Sequence, residues 1–144
     1  MRSGVLLDAG PLIAYRDRRD AHHAWVAEIW PVLELPLITC EPVLTEVSFL
    51  LGRARLDASW PAELVQKEIV RIGLRLDDEA VAIQTLMRRY AEIPMSLADA
   101  CLVRLTELTG LPICTLDGDF AIYRAHGRRT LELITPERRA LHEP

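Results

Sequence analysis

Five short apolar runs, "GVLLD", "LPLITC", "LRL", "LPICTLD" and "TLELI", punctuate the chain, and longer stretches with helical periodicity separate them. An apolar run with little polar alternation reads as a strand covered on both faces. Strands of that kind alternating with helices predict an α/β fold around a mainly parallel sheet of four to five strands. The helical stretches carry their own end signals. "AHHAWVAEIWPVLE" has Asp20 before it as a cap and Pro31 disturbing its end. Pro42 suits the first turn of a helix through "VLTEVSFLLGRA". In "SWPAELVQKEIVRIG", Ser59 is placed to cap and Pro61 falls in the first turn. "DDEAVAIQTLMRRYAEI" is amphipathic, with acids at its start and Arg near its end, as the helix dipole favours. Ser96 caps "SLADACLVRLTELTG", and Gly110 stops it. A polar tail, "RRALHEP", follows the last strand. The 144 residues suit one domain, 1–144, with enough chain to bury a core.

Composition narrows the function classes. Half the residues are hydrophobic and 26% are charged, a globular balance. The N-terminal apolar run is too short for a signal peptide and is interrupted by Asp8, and no stretch approaches the roughly 20 apolar residues of a membrane span. A cytoplasmic protein is expected. Cys40, Cys101 and Cys114 stand singly among apolar neighbours, which predicts three buried free thiols rather than a disulfide framework or a zinc site. Net charge is −4, so nucleic acid would have to be gripped by local basic patches. Of the 17 basic residues only Lys67 is lysine. Codon bias explains that excess of arginine most simply, although arginine also suits phosphate.

The chemistry rests on acids in apolar company. Asp8 and Asp117 fall at the carboxyl ends of two expected strands, where α/β sheets place their sites. On helical spacing Glu46 neighbours Pro42, Val43, Phe49 and Leu50, and Asp99 neighbours Met95, Leu102 and Val103, so both stand on apolar stripes. A buried carboxylate needs a cation or strong donors. A salt bridge to arginine would serve any one of them. Four together, with Arg53 the nearest basic residue at matching spacing, point instead to a hard divalent ion, Mg²⁺ or Mn²⁺, which prefers oxygen ligands. Such a cluster suits metal-dependent phosphoryl transfer. "CTLDGDF" leaves two meanings open for Asp117 and Asp119, a solvated turn or part of that cluster.

"LLDAGPLIAYRDRRDAHHAW", "TEVSFLLGR", "MSLADACLVRLTELTG" and "ICTLDGDF" resemble, in order, the motifs of PIN-domain ribonucleases, and most of all the VapC-type toxins of toxin–antitoxin modules. The resemblance runs from Leu6 to about Leu133. It implies an α/β/α sandwich, Mg²⁺- or Mn²⁺-dependent endoribonuclease activity, a homodimer, and a cognate antitoxin that covers the active site. Matched position by position, it places the catalytic, metal-facing acids at Asp8, Glu46, Asp99 and Asp117. Asp119 is an additional acid of the same loop, and Thr115 the hydroxyl before it. Gly10 departs from the pattern, since many relatives carry Thr, Ser or Asn there. For RNA phosphates the candidate contacts are Arg124, Arg128 and Arg129, in "YRAHGRR".

Two rivals use other classes of function. A phosphatase of the haloacid-dehalogenase kind needs a second Asp two residues after the first, where this chain has Gly10. A non-catalytic PIN-like module that binds RNA or protein would not require the acid set, yet all four positions are filled.

Overall fold

Strand β1 (Val5–Leu7) occupies the centre of the sheet, and its three residues are all buried, which is what the unalternating "VLL" run dictates. The computed structural model describes residues 3–136, and the expected polar tail "RRALHEP" lies outside the described residues. After β1 the chain forms α1 (Ala9–Arg16), α2 (His23–Ile29), a 3-10 turn (Trp30–Val32), β2 (Leu37–Thr39), α3 (Glu41–Arg53), α4 (Trp60–Gln66) and β3 (Val70–Ile72). Then come α5 (Leu76–Arg89), α6 (Leu97–Thr109), β4 (Ile113–Cys114) and a second 3-10 turn (Gly118–Ala121). The hairpin strands β5 (Arg124–Ala125) and β6 (Arg129–Thr130) and the last strand β7 (Leu133–Ile134) follow.

The sheet runs β3-β2-β1-β4-β7 with every pairing parallel, Val5 opposite Leu37 and Leu6 opposite Ile113. Helices α1 to α4 pack among themselves and α5 packs on α6, giving the expected α/β/α sandwich. All carboxyl ends of the parallel strands open on one edge of the sheet. Thr39 ties two of them together there, its hydroxyl donating to the Leu7 carbonyl at 2.8 Å. The three cysteines are buried and free, as expected. No helix among the described residues is long and apolar enough to cross a membrane.

Several local expectations change. Helix α1 was not anticipated; its start is set by Asp8, whose carboxylate accepts the Ala9 N–H at 2.8 Å. Asp20 does not cap α2: its side chain accepts from His22 N–H in a turn, and the helix begins at His23. Ser59 precedes α4 without a capping bond, because its hydroxyl donates to Asp57 at 2.6 Å. Helix α4 stops at Gln66, Glu68 turns the chain at φ 57°, and the third strand is Val70–Ile72 rather than "LRL". "TLELI" divides, with Thr130 in β6 and Leu133–Ile134 in β7. The signals around α6 hold: Ser96 caps it in a reciprocal box with Asp99, and Gly110 ends it in the left-handed region at φ 74°.

Candidate active site

Asp8 is the innermost acid. It follows the central strand directly, is 7% exposed, and has both carboxylate oxygens engaged. Oδ1 accepts from the Ala9 N–H at the start of α1, and Oδ2 accepts from the Thr115 hydroxyl at 2.7 Å. Burial, chiefly, pushes its carboxyl up from an ordinary 3.8 to about 6; the charges of Asp99 and Glu46 push the same way, and the two hydrogen bonds oppose them.

Thr115 joins Asp8 to the loop after β4. Its oxygen donates to Asp8 and accepts from the Asp117 N–H at 2.9 Å, so one hydroxyl sets two acid-bearing segments. At 1% exposure it is spent on orienting these acids and has no surface to offer a substrate. "CTLDGDF" is a capped turn, and it also faces the acidic cavity. Asp117 caps the 3-10 turn by accepting from the Asp119 N–H at 2.9 Å, and Asp117 and Asp119 also line the cavity that Asp8 faces. Gly10 has a steric reason: a Cβ there would stand 3.2 Å from Leu116, so the first turn of α1 and this loop come together because the side chain is missing.

Glu46 and Asp99 arrive from helices. On α3 the buried stripe is Val43, Val47 and Leu51, while Phe49 is 62% exposed. Glu46 therefore does not sit on the core stripe as its spacing suggested; it stands exposed on the wall of the cavity. Asp99, half-buried in the first turn of α6, accepts from Ser96 N–H at 3.3 Å and from the Tyr123 hydroxyl at 3.1 Å. The carboxyls of Glu46 and Asp99 are both held above their ordinary range, first by desolvation and then, among the charges, by neighbouring acids. Asp117 contributes to both shifts. Tyr123 is also pushed up, by burial and then by Asp99, so its hydroxyl stays a donor.

Asp8, Glu46, Asp99, Asp117 and Asp119 line one cavity of about 1150 Å³ at the carboxyl edge of the sheet. Among the described residues its single basic lining residue is Arg75, which pairs with Asp77 and Asp78. Among the described residues no group of three acids is gathered closely enough to enclose an ion as the side chains stand. The cavity is thus an uncompensated acidic concavity rather than a closed nest. Its five acids offer hard oxygen donors, the chemistry that suits Mg²⁺ or Mn²⁺ with part of its water shell retained, and the one thiol on the described lining, Cys101, is buried.

The candidate arginines lie elsewhere. Arg124 spends Nη1 on the carbonyls of Ala121, Ile122 and Tyr123, at 2.8, 2.9 and 3.1 Å. Arg128 and Arg129 are exposed on the β5–β6 hairpin, and none of the three lines the cavity. Sequence reasoning missed Tyr123, which reaches Asp99 only because the segment after the 3-10 turn folds back on α6.

Comparison with known proteins agrees with this geometry. The family model described as PIN domain matches residues 5–125. No curated protein matches the sequence. Among solved structures, the chain is similar to Mycobacterium tuberculosis VapC20, a Sarcin-Ricin loop cleaving toxin, at 25% identity and a TM-score of 0.73. That similarity covers 82% of this chain and 93% of the other. With the model matching most of the sequence and the acid-lined edge where the motifs placed it, the chain belongs to the PIN domain family.

Proposed function

We propose that this protein is a metal-dependent endoribonuclease, the toxin of a toxin–antitoxin pair, acting as a cytoplasmic homodimer of single-domain chains under control of a cognate antitoxin. The observation that carries the reading is the convergence of four acids, from a strand end, two helices and a loop, on one cavity where, among the described residues, none of them is paired with a cation. A fold held by structural salt bridges would pair these acids with some of its arginines. Membership in the PIN family and likeness to an RNA-cleaving toxin support RNA as the substrate class.

Asp8, Asp99 and Asp117 would hold Mg²⁺ or Mn²⁺, directly or through water, with Glu46 and Asp119 completing the acidic wall. When bound, the ion supplies positive charge for the phosphodiester oxygens and polarises water for in-line attack. The chain's own part is placement. Thr115 fixes Asp8 and the Asp117 backbone together, and the Ala9 N–H fixes the second oxygen of Asp8. Leu116 closes the cavity against Gly10. Arg128 and Arg129, exposed on their hairpin, are left to meet phosphates further along an RNA strand.

The test is cleavage of total RNA by wild type with Mn²⁺, with chelator, and by Asp8→Asn with Mn²⁺, followed by mapping of the new ends. Discrete ends from wild type with Mn²⁺ alone support the reading. The same ends at the same rate from Asp8→Asn would overturn it.

A further inference from the structure

Asp99 divides its two oxygens. Oδ2 accepts from the Ser96 N–H at 3.3 Å, as part of the cap of α6, and from the Tyr123 hydroxyl at 3.1 Å. Among the described residues Oδ1 has no donor. A capping bond of 3.3 Å is long, and the terminal torsion of an aspartate is broad and two-fold, so the cap alone leaves the carboxylate free to exchange its oxygens. The Tyr123 bond is of another kind, because its donor cannot move. The ring is fully buried, edge-on to Phe120 at 5.4 Å and to Tyr90 at 5.1 Å. Tyr90 is itself held, its hydroxyl accepting the Arg124 N–H at 2.9 Å.

A phenylalanine would fill the Tyr123 site equally well and would bury no hydroxyl needing a partner. The one polar atom of this ring is directed at an acid of the cavity. We propose that Tyr123 is a positioning residue of the active site: its hydroxyl, together with the Ser96 N–H, pins Oδ2 of Asp99 so that Oδ1 is the oxygen presented to the ion. This rests on the reading of Asp99 as a metal-facing acid. Two effects of the bond compete. A donated proton withdraws charge from the carboxylate and weakens it as a ligand, whereas a fixed orientation strengthens it. Partners that orient a ligating group from behind cost about 10–100-fold in metal affinity when removed, so orientation is the larger effect.

The experiment is Mn²⁺ titration by calorimetry, without RNA, on wild type, Asp99→Asn, Tyr123→Phe and Tyr90→Phe, with thermal melting to show that each is folded. Tyr90→Phe removes a neighbouring phenol that does not bond Asp99. The inference predicts that Tyr123→Phe binds Mn²⁺ about tenfold more weakly while Tyr90→Phe matches wild type. Unchanged affinity in Tyr123→Phe, or equal losses in both phenol variants, would overturn it even where Asp99→Asn has abolished binding and so upheld the metal site. No Mn²⁺ binding by wild type would remove the metal reading and the inference with it.

Discussion

Helix α6 places charge in partly buried surroundings towards both ends and treats the two ends in opposite ways. In its second half Arg104 lies between Glu79 at 2.7 Å and Glu107 at 3.2 Å, and Glu107 also accepts the His126 N–H at 2.6 Å. Every charge in that cluster has a partner of opposite sign. In its first turn Asp99 has only neutral donors, Tyr123 and Ser96, and faces other acids across the cavity. The chain has 16 arginines and uses one of them to join two glutamates, yet none pairs with Asp8, Glu46, Asp99 or Asp117 among the ion pairs of the described residues. The excess of negative charge at one end is therefore not a shortage of cations. One end uses charge to hold the fold, and the other keeps charge unneutralised at some cost to the fold, which is the contrast that the proposed metal site accounts for.

That contrast makes predictions of opposite sign. Arg104→Met should be the most damaging, since it leaves Glu79 and Glu107 facing each other. With Arg104 only 24% exposed, a loss of about 3–4 kcal/mol is expected in urea denaturation, towards the low end for a broken buried pair. A loss below about 1 kcal/mol would class it with solvent-screened surface pairs and break the contrast.

Asp8→Asn should do the reverse. Its carboxyl is raised from 3.8 to about 6 in the fold, so the folded state holds the proton more tightly than the unfolded chain does. The stability this group contributes is complete below about pH 4 and lost as the pH rises through 6. At pH 7 the ionised acid costs the metal-free fold up to about 3 kcal/mol, from a shift of about two pH units. Asn keeps an acceptor for the Ala9 N–H and can donate to Thr115. Metal-free Asp8→Asn should thus exceed wild type in stability at pH 7 and lose that advantage at pH 4. Equal stabilities at pH 7 would show that Asp8 is not held at an electrostatic cost.

The smallest effect on stability is expected at the hairpin. Arg124 is left out of the test because its Nη1 already donates to three carbonyls. Arg128→Gln with Arg129→Gln should leave melting unchanged and lessen the salt dependence of RNA binding by about one to two units of slope. An unchanged slope would place the phosphate contacts elsewhere on the surface.

What the sequence made legible was what local chemistry decides. Ser96 and Gly110 mark α6 because a cap and a left-handed stop act within a few residues of themselves. Asp8 and Asp117 were recognisable as strand-end acids because a buried parallel strand needs little more than an apolar run. Helix α1 was hidden because four of its eight residues are buried, which blurs the polar face that marks an amphipathic helix. Strand β3 reads as helix in the sequence because a three-residue edge strand is chosen by its pairing with β2, not by its own pattern. Glu46 reached the cavity by a different face of α3 from the one its spacing implied, since Phe49 turned out to be exposed. Tyr123 was beyond reach altogether: its meaning is a contact across 24 residues made by tertiary folding.

The most direct test of the central claim takes one variant and two measurements. Asp99→Asn retains the shape of the side chain and an acceptor for Ser96 and Tyr123, and removes one negative charge from the cavity. Its metal-free stability in urea and its RNA cleavage with Mn²⁺ should be read on the same preparation. The account predicts a fold at least as stable as wild type, because a repelling charge has gone, together with loss of cleavage. A destabilised fold, or a stable one that cleaves RNA at the wild-type rate, would contradict it.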